Sequence, residues 1–268
     1  MVQYLPFILE VNVNDTEAIK GMLPNRDSLN TWQQHRYDVM LEQFSARQPY
    51  LWTNGHHGCI WNNYFREKEL LMDNDVDGVY CCGLGFENFF IAYQRWMAAW
   101  FETDIDLSYP QMKELLERFF VYQKRNDETY RKGCGYAIAR LGELLRLRWN
   151  TAKSTGSITD LGDFDTDFGA TFSYHTDPYQ AQFGDDVQLQ YKSDIYSKGG
   201  GHMGVFVGIE SRVNKDTGNT EDAMRIFQAN YGGDYGMPGG VNFGFFWIDR
   251  EKEGFKRTFH IGHIQPTS

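Results

Sequence analysis

Gly78-Val79-Tyr80-Cys81-Cys82-Gly83-Leu84-Gly85-Phe86 is the stretch on which the fold of this chain turns. It follows an acidic loop, Asp73-Asn74-Asp75-Val76-Asp77, and opens a pattern in which Phe86, Phe89, Phe90, Tyr93, Met97 and Trp100 recur at three- and four-residue steps. That spacing predicts a helix from about Cys81 to about Trp100. A thiol at a helix start lies beside backbone N–H groups that have no carbonyl partner, at the positive end of the helix dipole. Both favour thiolate over thiol, and the thiolate is the nucleophile. Cys82, one residue further in, has the ordinary reading of a cysteine in an apolar helix, which is a place in the core.

Two later segments supply partners for such a thiol. Gly201-His202-Met203-Gly204-Val205-Phe206-Val207-Gly208-Ile209 reads as a strand with a histidine at its start, and Met224-Arg225-Ile226-Phe227-Gln228-Ala229-Asn230 reads as the next strand. Strict alternation puts His202, Gly204, Phe206 and Gly208 on one face and Met203, Val205, Val207 and Ile209 on the other. The two glycines on the histidine's own face leave room for a second backbone or a substrate, whereas His175, His260 and His263, the competing candidates for a base, have no such paired glycines. Gln228 is expected on the neighbouring antiparallel strand, facing the imidazole, with Asn230 two residues on as the alternative on that face.

These motifs resemble the NlpC/P60 family of papain-like cysteine peptidases, which cut peptidoglycan stem peptides. Cys81-Cys82-Gly83-Leu84 is similar to the family's Cys-Ser-Gly-Leu nucleophile motif, Phe183-Gly184-Asp185-Asp186-Val187 to its Gly-Asp-Leu-Val strand start, and Gly201-His202-Met203-Gly204-Val205 to its Gly-His-Val-Gly-Ile motif. The resemblance implies an α+β fold with a papain-like core, in which an antiparallel sheet packs on the cysteine-bearing helix. It implies Cys81 as nucleophile, His202 as general base and Gln228 as the polar residue that orients the imidazole, with no cofactor and no metal. Backbone N–H groups at the helix start would form the oxyanion site, with Tyr80, Cys82 and Asn230 in support. The chain departs from the family in carrying Tyr80 where Asp usually precedes the nucleophile, and Cys82 where Ser follows it. The long separation of Cys81 from His202 requires a large insertion between them.

The whole chain, 1–268, is read as one papain-like domain. It comprises an N-terminal helical extension (1–77), the nucleophile helix (78–101), a helical insertion (102–155) and an antiparallel sheet (183–264). Residues 7–13 read as a short strand, Asn14-Asp15-Thr16-Glu17 as a helix cap, and Asp27-Ser28 as the cap of a helix over about 28–47. Apolar periodicity marks helices from about 110 to 124 and about 134 to 149. Strands follow near 187–191, 203–209, 224–230, 241–248 and 255–261, separated by Asn214-Lys215-Asp216-Thr217-Gly218 and Glu251-Lys252-Glu253-Gly254.

Composition excludes several function classes. The chain has 268 residues, 41% of them hydrophobic and 16% aromatic, which is the make-up of a folded protein with a substantial core. A net charge of −10 with no long Lys/Arg run argues against nucleic acid as a partner. No apolar run is long enough to span a membrane. The N-terminus lacks the basic and apolar segments of a signal peptide, so the expected location is cytoplasmic, or outside by a route without a cleaved signal. Four cysteines, at 59, 81, 82 and 134, form no metal-binding or disulfide framework. His56-His57 lacks a matching ligand pair, and the loop from Asp73 has Leu84 where a calcium loop needs its closing Glu.

The expected activity is therefore amide hydrolysis, with a peptide or a peptidoglycan fragment as substrate. The loops 156–184 and 231–241 would contact it through Asp177, Tyr179, Asp234 and Tyr235. The alternative is a papain-like domain that only binds. Oligomeric state is not legible in the sequence.

Overall fold

A computed structural model describes residues 16–46, 50, 79, 81–101, 170–190, 201–233, 237–249, 251–252 and 255–266. The strand expected at 7–13, the helices expected near 110–124 and 134–149, His56-His57 and the acidic loop from Asp73 lie outside those residues.

The helices come first in the chain. A single turn, α1 (Thr16–Lys20), and a 3-10 turn at Arg26–Ser28 lead into α2 (Thr31–Ala46). The cap of α2 lies two residues beyond the expected Asp27-Ser28. Asn30 Oδ1 accepts from Gln33 N–H at 2.8 Å, and Gln33 Oε1 accepts from Asn30 N–H at 3.2 Å. This reciprocal pair satisfies two backbone donors at the helix start. The 3-10 turn has its own cap, Asn25, whose Oδ1 accepts from Asp27 N–H at 3.2 Å.

Helix α3 (Cys81–Phe101) begins where the periodicity placed it and packs on α2. Buried polar groups join the two helices. Gln43 donates to the Leu84 carbonyl at 3.0 Å and to Glu87 at 2.7 Å, and accepts from Asn88 at 2.9 Å. Trp32 meets Phe89 and Trp96 edge-on beside this network.

The C-terminal part builds one six-stranded antiparallel sheet from β1 (Ala170–His175), β2 (Asp186–Gln190), β3 (Gly201–Val213), β4 (Thr220–Asn230), β5 (Gly240–Trp247) and β8 (Thr258–Pro266), in the order β1-β8-β2-β3-β4-β5. A two-stranded ribbon, β6 (Glu251–Lys252) and β7 (Phe255–Lys256), lies between β5 and β8 in sequence. The architecture is α+β, with helices preceding an antiparallel sheet. The sheet takes one strand more than expected, because β1 comes from a segment read as loop. That segment is short and lies between an acidic, glycine-containing loop and Asp177-Pro178, so it reads as part of one long loop.

The β3–β4 hairpin closes where the Asn214-to-Gly218 breaker stands. Asn214 N–H donates to the Asn219 carbonyl at 2.8 Å, and Gly218 takes φ +75°, a conformation that a side chain would strain.

Both faces of the sheet are buried. On the helix side, Val205, Val207, Phe227, Ala229, Val241 and Phe243 pack with Tyr37, Met40, Phe44 and Leu84. On the other side, Val187, Leu189, Phe206, Met224, Ile226, Ile248, Phe259 and Ile261 form a second cluster. The alternation expected along β3 holds only to Val207. A bulge between Phe206 and Gly208 sets Phe206 opposite Ile226 but Gly208 opposite Arg225, so Gly208 and Ile209 exchange faces and Ile209 packs on the second cluster. One extra residue in a strand with period two inverts every position after it.

Candidate functional site

His202 is the second residue of β3, and Gln228 faces it from β4. His202 Nε2 and Gln228 Oε1 are 2.6 Å apart, and both side chains are buried. The arrangement continues into β5, where Gln228 Nε2 donates to Asn242 Oδ1 at 2.9 Å. Asn242 Nδ2 in turn donates to the carbonyls of Gly240 at 3.1 Å and Pro238 at 3.3 Å. The strand register places Gln228 directly opposite Asn242. Phe246, also on β5, covers the imidazole at a ring distance of 5.6 Å.

Glycines make the space for this row of amides. A Cβ on Gly244 would lie 2.7 Å from Gln228 Cδ, and one on Gly233 would lie 2.7 Å from Asn242 Cγ. Gly204 has a different part from the one expected of it. The room beside it is filled by the Phe227 carbonyl and the Ile226 side chain, each under 3.0 Å from where a Cβ would stand, so it serves close strand packing rather than access for substrate.

Burial sets the electrostatics of His202. Its pKa falls from the usual 6.5 to about 4, chiefly because burial penalises the imidazolium; the Gln228 hydrogen bond opposes the fall, and the Arg257 charge adds to it. At neutral pH the ring is uncharged and carries a basic nitrogen.

Cys81 is the first residue of α3, a buried thiol with 3% of its surface exposed. Helix α3 approaches β3 closely, since a Cβ on Gly85 would lie 2.9 Å from Met203 Cε. Gly85 is one helical turn past Cys81 and Met203 is next to His202, so the beginnings of α3 and β3 are neighbours. The His202 ring, however, leaves β3 on the opposite face from Met203, on the side of Phe206 and Phe246.

The remaining expected residues are dispersed. Asn230 turns its carboxamide to the chain, accepting from Tyr231 N–H at 2.9 Å, while Gln228 holds the imidazole. Asp177 caps a 3-10 turn at Pro178–Gln180 by accepting from Tyr179 N–H at 3.0 Å. The exposed Tyr179 donates to Asp222 at 3.0 Å. Asp222 lies six residues from Gln228 along β4, about 20 Å in an extended strand. Asp177 and Tyr179 are therefore not gathered with His202. Cys82 lies in the first turn of α3 with its side chain outside the described residues, as are Tyr80, Asp234 and Tyr235.

Two buried charged pairs lie at the start of β2. Arg36 of α2 donates to Asp186 at 2.8 Å with both side chains almost wholly buried, and its guanidinium stands over Trp32 and Phe89. Burial raises the Asp186 pKa from 3.8 to about 6 even though Arg36 opposes it. Asp185 meets His263 of β8 at 2.8 Å; burial raises the carboxyl pKa, and the hydrogen bond that His263 Nδ1 donates to Asp185 raises that of His263. His175 bonds Ser173 at 2.9 Å. Among the described residues no group of three His, Cys, Asp or Glu side chains could hold a metal ion, and no helix is long and apolar enough to cross a membrane.

Asn242 was not anticipated as part of the site. Its signal in the sequence is a carboxamide standing alone in the apolar run Val241-Asn242-Phe243-Gly244-Phe245, two residues before a glycine on the same face. Comparison with protein-family models, with curated proteins and with solved structures finds no match.

Proposed function

We propose that the protein is a cysteine-dependent amide hydrolase with a papain-like core of the NlpC/P60 type, acting on a peptide such as a peptidoglycan stem peptide. The observation that carries this reading is the 2.6 Å His202–Gln228 pair at the start of β3, the strand against which the Cys81 helix packs. A carboxamide is otherwise an expensive partner to bury beside an imidazole, and here three amide and imidazole groups satisfy one another.

In this mechanism Cys81 Sγ gives its proton to His202 and bonds to the carbonyl carbon of the substrate amide, whose π electrons move to oxygen. N–H groups at the start of α3 stabilise that oxyanion. Collapse of the intermediate breaks the C–N bond, and the imidazolium gives its proton to the leaving amine. Water then adds to the thioester with His202 taking a proton, and the carboxylic acid leaves as the thiol re-forms. The low pKa of His202 makes it a general base that acts as the thiol attacks, in place of a standing thiolate–imidazolium pair. The mechanism requires Cys81 Sγ to reach the His202 ring, which leaves β3 on the face opposite Met203.

The 3% exposure of Cys81 also suits the second reading, a papain-like module that binds without catalysis. Incubation with purified muropeptides and mass analysis of the products separates the two. Cys81→Ala should abolish cleavage with the fold intact, and Cys82→Ser should not. His202→Ala should lower the rate about 10²–10⁴-fold, the range for loss of a general base. Cleavage that survives Cys81→Ala would eliminate a mechanism in which that thiol is the nucleophile.

A further inference from the structure

The chain of side-chain bonds that begins at His202 ends on two backbone carbonyls, Pro238 and Gly240, and this termination gives it a direction. A carbonyl oxygen can only accept. The group of Asn242 that faces both must therefore be its NH2, because the alternative sets three oxygens against one another. Asn242 Oδ1 is then the atom left to face Gln228, and at 2.9 Å it can only accept, so Gln228 presents its own NH2 there. That leaves Gln228 Oε1 toward the imidazole at 2.6 Å, where a hydrogen must stand on His202 Nε2.

From this sequence of constraints we infer that Asn242 is a positioning residue, which locks the polarity of Gln228 and so holds His202 as the Nε2–H tautomer with Nδ1 as its basic nitrogen. Gln228 alone could not do this. An amide turned end for end would offer NH2 to the ring and accept the other tautomer equally well, with Nδ1 occupied by the proton. The glycines are part of the device, since Gly244 and Gly233 leave the volume in which the two amides lie. His202 is uncharged at neutral pH, so the tautomer is a defined property of the resting protein.

The catalytic consequence rests on the hydrolase reading: only Nδ1 could then accept the Cys81 proton. The tautomer itself does not depend on that reading, and the experiment uses this separation. Nitrogen-15 spectra of the imidazole, recorded at pH 7 on the full chain labelled at histidine and assigned with His202→Gln, distinguish the protonated from the unprotonated ring nitrogen. The wild type should show Nε2 protonated and Nδ1 unprotonated. Asn242→Ala should introduce the opposite tautomer, and should lower kcat about 10–100-fold with KM little changed, as for other groups that orient a catalytic side chain.

A wild type with Nδ1 protonated overturns the inference at once, whether or not any variant folds. An Asn242→Ala protein that keeps a pure Nε2–H ring also overturns it, even if its activity falls, because a merely structural residue would behave so. A protein that shows the lock, loses it in Asn242→Ala and cleaves no amide would sink the hydrolase reading while leaving the tautomer assignment standing.

Discussion

The burial of His202 makes stability depend on pH in a way that can be measured without knowing any substrate. The folded ring has a pKa of about 4, against 6.5 for an exposed histidine. Between those values the unfolded chain binds the proton that the folded chain refuses. Stability from the neutral ring is therefore fully present above about pH 6.5 and is lost as pH falls toward 4. For a shift of this size the loss between pH 7 and pH 5 is about 2 kcal/mol, rising to about 3 kcal/mol at pH 4. Other groups titrate in the same window. His35 and His260 also have lowered pKa values and act in the same direction. The raised values of Asp185, Asp186 and His263 give contributions that are strongest in acid and are lost as pH rises.

The experiment is thus a difference. Urea unfolding of the wild type and of His202→Gln, each at pH 7 and pH 5, cancels the common groups. The wild type should lose about 2 kcal/mol more than the variant over that interval. Profiles that run parallel would mean that the ring is solvated or charged in the folded protein, and the case for a buried neutral base would fall.

Other substitutions test the surroundings of the site. Gly244→Ala should push the Gln228 amide off the ring, because the new Cβ would lie 2.7 Å from Gln228 Cδ and 2.9 Å from its Oε1; urea unfolding should show a cost of about 1–3 kcal/mol, and an unchanged stability would show the space to be open. Arg36→Met strips Asp186 of its 2.8 Å partner inside the core and should cost about 3–5 kcal/mol, most of it recovered by adding Asp186→Leu; a double variant no better than the single one would contradict the account of an uncompensated buried charge.

The start of α3 was legible because nothing distant is needed to specify it. Glycines, a cysteine and aromatic residues at helical steps encode the element locally, and the helix begins at Cys81 as that pattern requires. The antiparallel strands and the His202–Gln228 facing were also within reach, since alternation and a hairpin breaker set faces and register over short distances. Local capping was less legible: Asp27 and Ser28 have the right chemistry, but the reciprocal bonds of Asn30 with Gln33 define the helix start.

What only the tertiary structure decided depends on contacts between elements far apart in the chain. The bulge at Phe206 reverses the faces of Gly208 and Ile209; a glycine in a strand hints at such a shift, but β3 has one at 204 as well as at 208, and only the pairing with β4 decides where the extra residue falls. Arg36 and Asp186 are 150 positions apart, and each looks like an ordinary surface charge until α2 is laid on β2. Asn242 shows the same limit at the site itself. Its strand is readable as a strand, but a carboxamide gains a direction only when a third strand brings it to Gln228 and a turn presents two carbonyls to its other end. Periodicity in a sequence reports which side of an element is buried; which polar atom meets which, and hence where a proton sits, is settled by the packing of separate elements against one another.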